Sequence, residues 1–217
     1  MNKVVELQNA ISSIRDGMTI LYGGFMGVGT PEILVDALVE KGVRDLTVIG
    51  NDAAVPGVGI AKLISNGQVK KLIASHIGLN PEVAQLMNAG KLEVELVPQG
   101  TLVERIRCGG AGIGGFLTQT GLGTEVEKGK TIVQANGKDY LLELPIKADV
   151  ALIRGSVADT IGNVFYRATT KNFNPLAATA AELVIVAAQE IVAPGELDPE
   201  RVMTPCVYVD YVVGGEA

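Results

Sequence analysis

The chemistry this sequence offers lies mainly in two glycine-rich segments and one glutamine. Residues 23–31 read GGFMGVGTP, between an apolar run and a helical pattern. Glycine permits tight turns and lets a ligand approach the backbone closely. A helix start presents free N–H groups and partial positive charge, so the segment suits an anion. It equally suits a close strand-to-helix crossover with no ligand. The P-loop pattern fails here for want of its lysine, and the spacing is GxxGxG where a dinucleotide site has GxGxxG. Asp52, just after the second apolar run, stands where a ribose-binding acid would, a minor point in favour of NAD.

The second segment, residues 97–124, opens on Val97-Pro98-Gln99-Gly100-Thr101. Gln99 falls between a strand end and a helix start, where its amide can donate to a carboxylate or a developing oxyanion without ionising. Thr101 and Glu104 have capping-box spacing, which predicts a short helix over 102–107 ended by Gly109. Residues 109–123 hold seven glycines and read as a loop, able to close over a ligand or simply to lie on the surface.

Recognisable nucleophiles are missing. The chain has no GxSxG and no HExxH, and its only histidine is His76, expected in a structural role. Cys108 has no evident base beside it in the sequence. Glu104 reads as a helix-capping residue and Glu143 as part of a strand face. The segments bind; none supplies an obvious attacking group.

The elements that must position these residues alternate. Residues 18–22 (MTILY) suit a buried strand. Thr30-Pro31-Glu32 then predicts a helix start, with Thr30 as N-cap and Pro31 in the first turn, running to Gly42. Strands are expected over 46–49, 72–74 and 92–97, with a helix over 81–89 stopped by Gly90. This rhythm implies an α/β fold, a mostly parallel sheet with flanking helices and ligands at the carboxyl ends of its strands. Farther on, Asn136-Gly137 predicts a hairpin between 131–134 and 140–144, a small flap. Strands are expected over 149–154, 183–186 and 207–213, and Asn174-Pro175 predicts a helix over 176–181. Without linker, repeat or charge block, 1–217 reads as a single domain.

Composition limits the partners. At 217 residues a chain buries about 70% of its unfolded surface. A net charge of −6 with 4% aromatic residues disfavours nucleic acid as a ligand. Neither an apolar leader nor a run long enough to span a membrane occurs, so a cytoplasmic location is expected. Cys108 and Cys206 are far apart, suggesting neither a zinc site nor a disulfide framework.

Several motifs together carry a resemblance. Asp16-Gly17-Met18-Thr19, Gly23-Gly24-Phe25 and Gly29-Thr30-Pro31 resemble the signature of family I CoA-transferases, alpha (A) subunits of the acetate and butyrate–acetoacetate class. Asn51-Asp52, Ala74-Ser75-His76-Ile77-Gly78, Val97-Pro98-Gln99-Gly100-Thr101-Leu102 and Lys171-Asn172-Phe173-Asn174-Pro175 extend it over most of the chain. Tyr22 departs from the family's usual aliphatic or Phe residue. The resemblance implies the fold shared with ribose-phosphate isomerase-like proteins. It implies a catalytic glutamate on a separate beta subunit, ping-pong exchange through a glutamyl-CoA thioester, and an α2β2 assembly. It assigns Gly24, Phe25, Met26, Gly27, Val28, Gly29 and Thr30 to coenzyme A, a substrate here, with no metal or resident cofactor. Two other readings stay open: a sugar-phosphate-binding sensor of the same fold, and a free-standing sugar-phosphate isomerase.

Overall fold

The structure, a computed structural model, describes residues 1–214; the last three residues of the expected 1–217 domain lie outside the described residues. Its strands are β1 (Thr19–Tyr22), β2 (Leu46–Asp52), β3 (Val69–His76), β4 (Glu93–Leu96), β5 (Phe116–Thr118), β6 (Ile132–Ala135), β7 (Lys138–Glu143), β8 (Ala148–Asp159), β9 (Val164–Phe165), β10 (Ala181–Val192) and β11 (Tyr211–Gly214). The helices are α1 (Leu7–Ala10), α2 (Glu32–Lys41), α3 (Ala61–Ser65), α4 (Pro81–Asn88), α5 (Gln99–Ala111) and α6 (Asn174–Ala177). The main sheet has the order β11-β10-β8-β1-β2-β3-β4, parallel throughout, with β9 antiparallel on β8. The chain works outward from β1 on one side and returns to its other side at β8. Such a reversal leaves a crevice at the carboxyl ends of the strands.

Strand alternation divides the core. Ile20, Tyr22, Val48, Leu72, Val150 and Leu152 pack with Leu34, Leu38, Leu63 and Val83 of α2, α3 and α4. Leu21, Ile49, Ile73, Ala151 and Ile153 pack with Leu102, Ile106 and Ala177 of α5 and α6. Each fully buried Leu or Ile is worth about 1.5–3 kcal/mol, so both faces must be covered for the sheet to persist. The unusual Tyr22 fits because its neighbour is small: a Cβ on Gly50 would collide with the Tyr22 ring. Its hydroxyl donates to the Asp52 carbonyl oxygen. Burial, and then the Asp52 carboxylate, push the Tyr22 pKa well above the ordinary phenol value.

Several elements differ from the sequence reading. Thr30 does not cap α2: Pro31 occupies the N-cap position, and the buried Thr30 hydroxyl lies against Gly24 instead. The helix expected over 102–107 is α5, which starts at Gln99 and ends on left-handed Gly112. Gly109 and Gly110 lie within it because side chains there would strike Ile146 O and Thr179. Thr101 is buried inside this helix, and Glu104 pairs with Arg107 at 2.8 Å, so neither forms a capping box. Beyond Gly112 the glycine-rich stretch contributes β5 rather than remaining a loop. Asn174 does not cap α6, which is a single turn, and the last strand begins at Tyr211.

The expected hairpin is present. Asn136 (φ 52°) and Gly137 (φ 69°) turn β6 into β7, and β5 joins them in a three-stranded antiparallel sheet. Glu143, 2% exposed, pairs with Lys130, while Arg105 Nη1 reaches Glu95 at 2.9 Å and its Nε donates to Leu144 O at 3.0 Å. These contacts fix the flap to α5 and β4. The two kinds of helical glycine in α5 separate in a denaturation experiment. Gly109→Ala should lower stability by about 1–3 kcal/mol through overpacking. Gly100→Ala, with open space around it, should raise stability by about 0.5–1 kcal/mol through helix propensity.

Candidate functional site

The crevice at the strand ends is a cavity of about 740 Å³, lined by Phe25, Met26, Val28, Asn51, Gln99, Val103, Thr169, Asn172 and Phe173. Its size suits a small-molecule site. The wall from the first glycine segment is a tight turn: Phe25 N donates to Val28 O at 2.9 Å, and Val28 N to Phe25 O at 2.8 Å. Met26 (φ 51°) and Gly27 (φ 87°) form its tip, both left-handed. Left-handed backbone costs a non-glycine residue about 1–2 kcal/mol. What holds Met26 there is Asp52, whose buried carboxylate accepts from Met26 N at 2.8 Å and from Ala54 N at 3.0 Å. Asp52 therefore braces the turn, with its carboxylate directed to backbone rather than to a ribose.

A second brace comes from the segment before α6. Asn172 Oδ1 accepts from Gly24 N at 3.0 Å, and its Nδ2 donates to Val28 O at 2.9 Å. Asn174 is fully buried: Oδ1 accepts from Arg154 N at 2.9 Å, and Nδ2 donates to Gly29 O at 2.9 Å and Thr170 O at 2.7 Å. A Cβ at Gly23 would occupy the place of the Asn174 amide. The amides of Gly24, Phe25, Met26 and Val28 are thus engaged within the protein. The segment faces the cavity chiefly with side chains, and Phe25, Met26 and Val28 are 41%, 44% and 48% exposed. At the start of α2, Glu32 Oε1 accepts from Gly59 N at 2.8 Å and Oε2 pairs with Lys62 at 2.7 Å.

Gln99, the first residue of α5, reaches across to β2, where Nε2 donates to Asn51 Oδ1 at 2.7 Å. Val103 follows one turn later on the same helix face and also lines the cavity. The other candidates lie elsewhere. His76 is exposed at the end of β3, Cys108 is fully buried in the core, and Glu143 belongs to the flap contacts. Among the described residues no group of three His, Cys, Asp or Glu side chains could hold a metal ion. Sequence reasoning missed Asn172 as a cavity residue and Asn174 as a brace. The proline after Asn174 suggested a helix start, and only the three-dimensional return of that segment to the glycine turn reveals the other use.

An apolar crevice at a strand-order reversal, walled by a braced glycine turn and carrying uncharged side-chain amides, has the size and lining of a small-molecule site. The chain belongs to the Coenzyme A transferase family, whose pattern it matches over residues 4–215. It is 55% identical over 211 residues to acetate CoA-transferase subunit alpha of Escherichia coli (strain K12), covering 97% of this chain and 96% of that one. It is 56% identical over 212 residues to the acetoacetyl-CoA:acetate/butyrate CoA transferase alpha subunit of Clostridium acetobutylicum, covering 98% and 97%. Among solved structures, the acyl-CoA transferase YdiF of Escherichia coli O157:H7, in a thioester complex with CoA, superposes with a TM-score of 0.87 at 26% identity. That match covers 99% of this chain and 47% of the other, so the chain spans about half of that enzyme.

Asn174 gives the site its most direct structural test. Asn174→Asp keeps the shape but sets an acceptor against Gly29 O and Thr170 O. Each buried group left unsatisfied costs about 1–3 kcal/mol, so the variant should lose about 3 kcal/mol or more in urea unfolding.

Proposed function

We propose that this chain is the alpha subunit of a short-chain acyl-CoA:carboxylate CoA-transferase of the acetate, butyrate and acetoacetate class. One observation carries the reading: among the described residues none that lines the cavity is ionisable, while two asparagines and a glutamine bring side-chain amides to it. The reading therefore takes the nucleophile for acyl transfer from a partner chain, and it is supported by the names of the near-full-length relatives, which are alpha subunits. The proposed partner is a homologous beta subunit bearing a glutamate, assembled as α2β2 in the cytoplasm.

In the reaction, that carboxylate attacks the acyl carbonyl carbon of acyl-CoA and expels the CoA thiolate, forming an acyl-glutamyl anhydride. The thiolate then attacks the glutamyl carbonyl carbon, releasing the first carboxylate and leaving a glutamyl-CoA thioester. The acceptor carboxylate reverses both steps. Coenzyme A is a substrate, and nothing else need stay bound. Gln99 donates to the carboxylate or to the developing oxyanion, in a cavity whose apolar walls strengthen that bond. Of the segment Gly24, Phe25, Met26, Gly27, Val28, Gly29 and Thr30, the exposed side chains of Phe25, Met26 and Val28 contact CoA, while buried Gly24, Gly29 and Thr30 shape the turn that presents them. Binding energy from the CoA tail is then available at the transition state.

A sugar-phosphate sensor or isomerase receives no support from the cavity, where the described lining residues include no lysine or arginine for a phosphate. Recovery of the tagged chain from its native extract should bring a second subunit. Acetoacetyl-CoA plus acetate should give acetyl-CoA only when both subunits are present. In that complex Gln99→Ala should slow turnover by about 10²–10³. Exchange by the lone chain, or unchanged turnover in the variant, would contradict the reading.

A further inference from the structure

We propose that Ser75 is a positioning residue for transfer, fixing the donor face of Gln99 through Asn51; this rests on the role of Gln99 proposed above. β2 and β3 are parallel with Gly50 opposite Ala74 and Asp52 opposite His76, which sets Ser75 beside Asn51. The single hydrogen of Ser75 Oγ is shared in a three-centre bond, accepted by Asn51 O at 2.6 Å and by Asn51 Oδ1 at 3.1 Å. From the other side, Gln99 Nε2 donates to the same Oδ1 at 2.7 Å. Asn51 is 5% exposed, so water has little access to its amide.

A primary amide has an acceptor end and a donor end of nearly equal shape, and its neighbours decide which way it faces. With Ser75 Oγ and Gln99 Nε2 both donating to Oδ1, Asn51 keeps its oxygen toward Gln99. Gln99 must then spend one N–H on Asn51 and retains the other for a ligand. Without the Ser75 hydroxyl, the Asn51 amide can turn over and Gln99 can follow. A lone pair then replaces a hydrogen in the site, and a carboxylate or oxyanion meets repulsion. The CoA tail does not meet this array, so the defect falls on the acyl end of the substrates.

The test uses the assembled complex with Ser75→Ala, Ser75→Thr, Gln99→Ala and the Ser75→Ala/Gln99→Ala double variant. A lost hydrogen bond of ordinary strength corresponds to about a tenfold effect. Ser75→Ala should therefore lower kcat/KM for the carboxylate acceptor about tenfold, with KM for acyl-CoA unchanged, and Ser75→Thr should restore it. On the Gln99→Ala background Ser75→Ala should have almost no further effect, since Ser75 acts through Gln99. Equal losses on both backgrounds, or no loss in Ser75→Ala, would overturn the proposal. The side-chain amide resonances of Gln99 in the nitrogen-15-labelled complex test the same coupling without turnover. Ser75→Ala should move them and Ser75→Thr should not; unmoved resonances would refute the coupling. If instead wild-type complex shows no exchange while the resonances move as stated, the transferase reading fails and the positioning stands.

Discussion

One buried asparagine amide holds together three parts of the chain that the sequence keeps far apart. Asn174 joins β8 through Arg154 N, the glycine turn through Gly29 O, and its own segment through Thr170 O. The amide sits where any side chain at Gly23 would have to go, so glycine there follows from the asparagine's bulk. Asn172 performs a similar service two residues earlier, and the Asp52 carboxylate secures the tip at Met26. Because all these donors and acceptors are matched inside the protein, the turn is set before any ligand arrives. A preformed wall of this kind reduces the ordering cost of binding.

The cavity differs from most active sites in what its lining omits. Its polar groups are two asparagines, a glutamine and a threonine, and its remaining walls are apolar. Amides keep their charge state at any pH, so the site's own hydrogen-bonding pattern does not titrate. Such a surface would accommodate the proposed partner carboxylate without opposing its charge. An acid placed in the same wall would repel it and raise its pKa, leaving it a poorer nucleophile at neutral pH.

Much of the architecture was legible in the sequence because its cause is local. Alternating apolar runs and helical spacing marked the strands and helices of the first half, and Asn136-Gly137 marked the flap turn through its positive φ angles. The glycines misled where their reason is tertiary. Gly109 resembled a helix stop, yet it is glycine because Ile146 O lies against α5. Thr30-Pro31 and Asn174-Pro175 carried the spelling of capped helix starts, whereas packing directed both side chains to the turn instead. Gln99 was read just ahead of a helix and proves to be the first residue of α5, because strand end and helix start were both visible locally within a few residues. Its partner on β2 was not, since no periodicity reports which strand ends converge.

The placement of β1 bears on how the protein is made. Its short strand is central to the sheet, yet one flank is β8, and Thr19 N is held by Asp149 Oδ2 at 2.7 Å from far along the chain. During synthesis the first half can assemble β1 through β4 with its helices, while the other edge of β1 stays bare. That edge carries Ile20 and Leu21, both fully buried in the finished protein. Contacts of such long sequence separation form slowly, and an unpaired apolar edge invites wrong pairings. The growing polypeptide therefore leaves the ribosome with one edge of its central strand unguarded until the second half arrives to cover it.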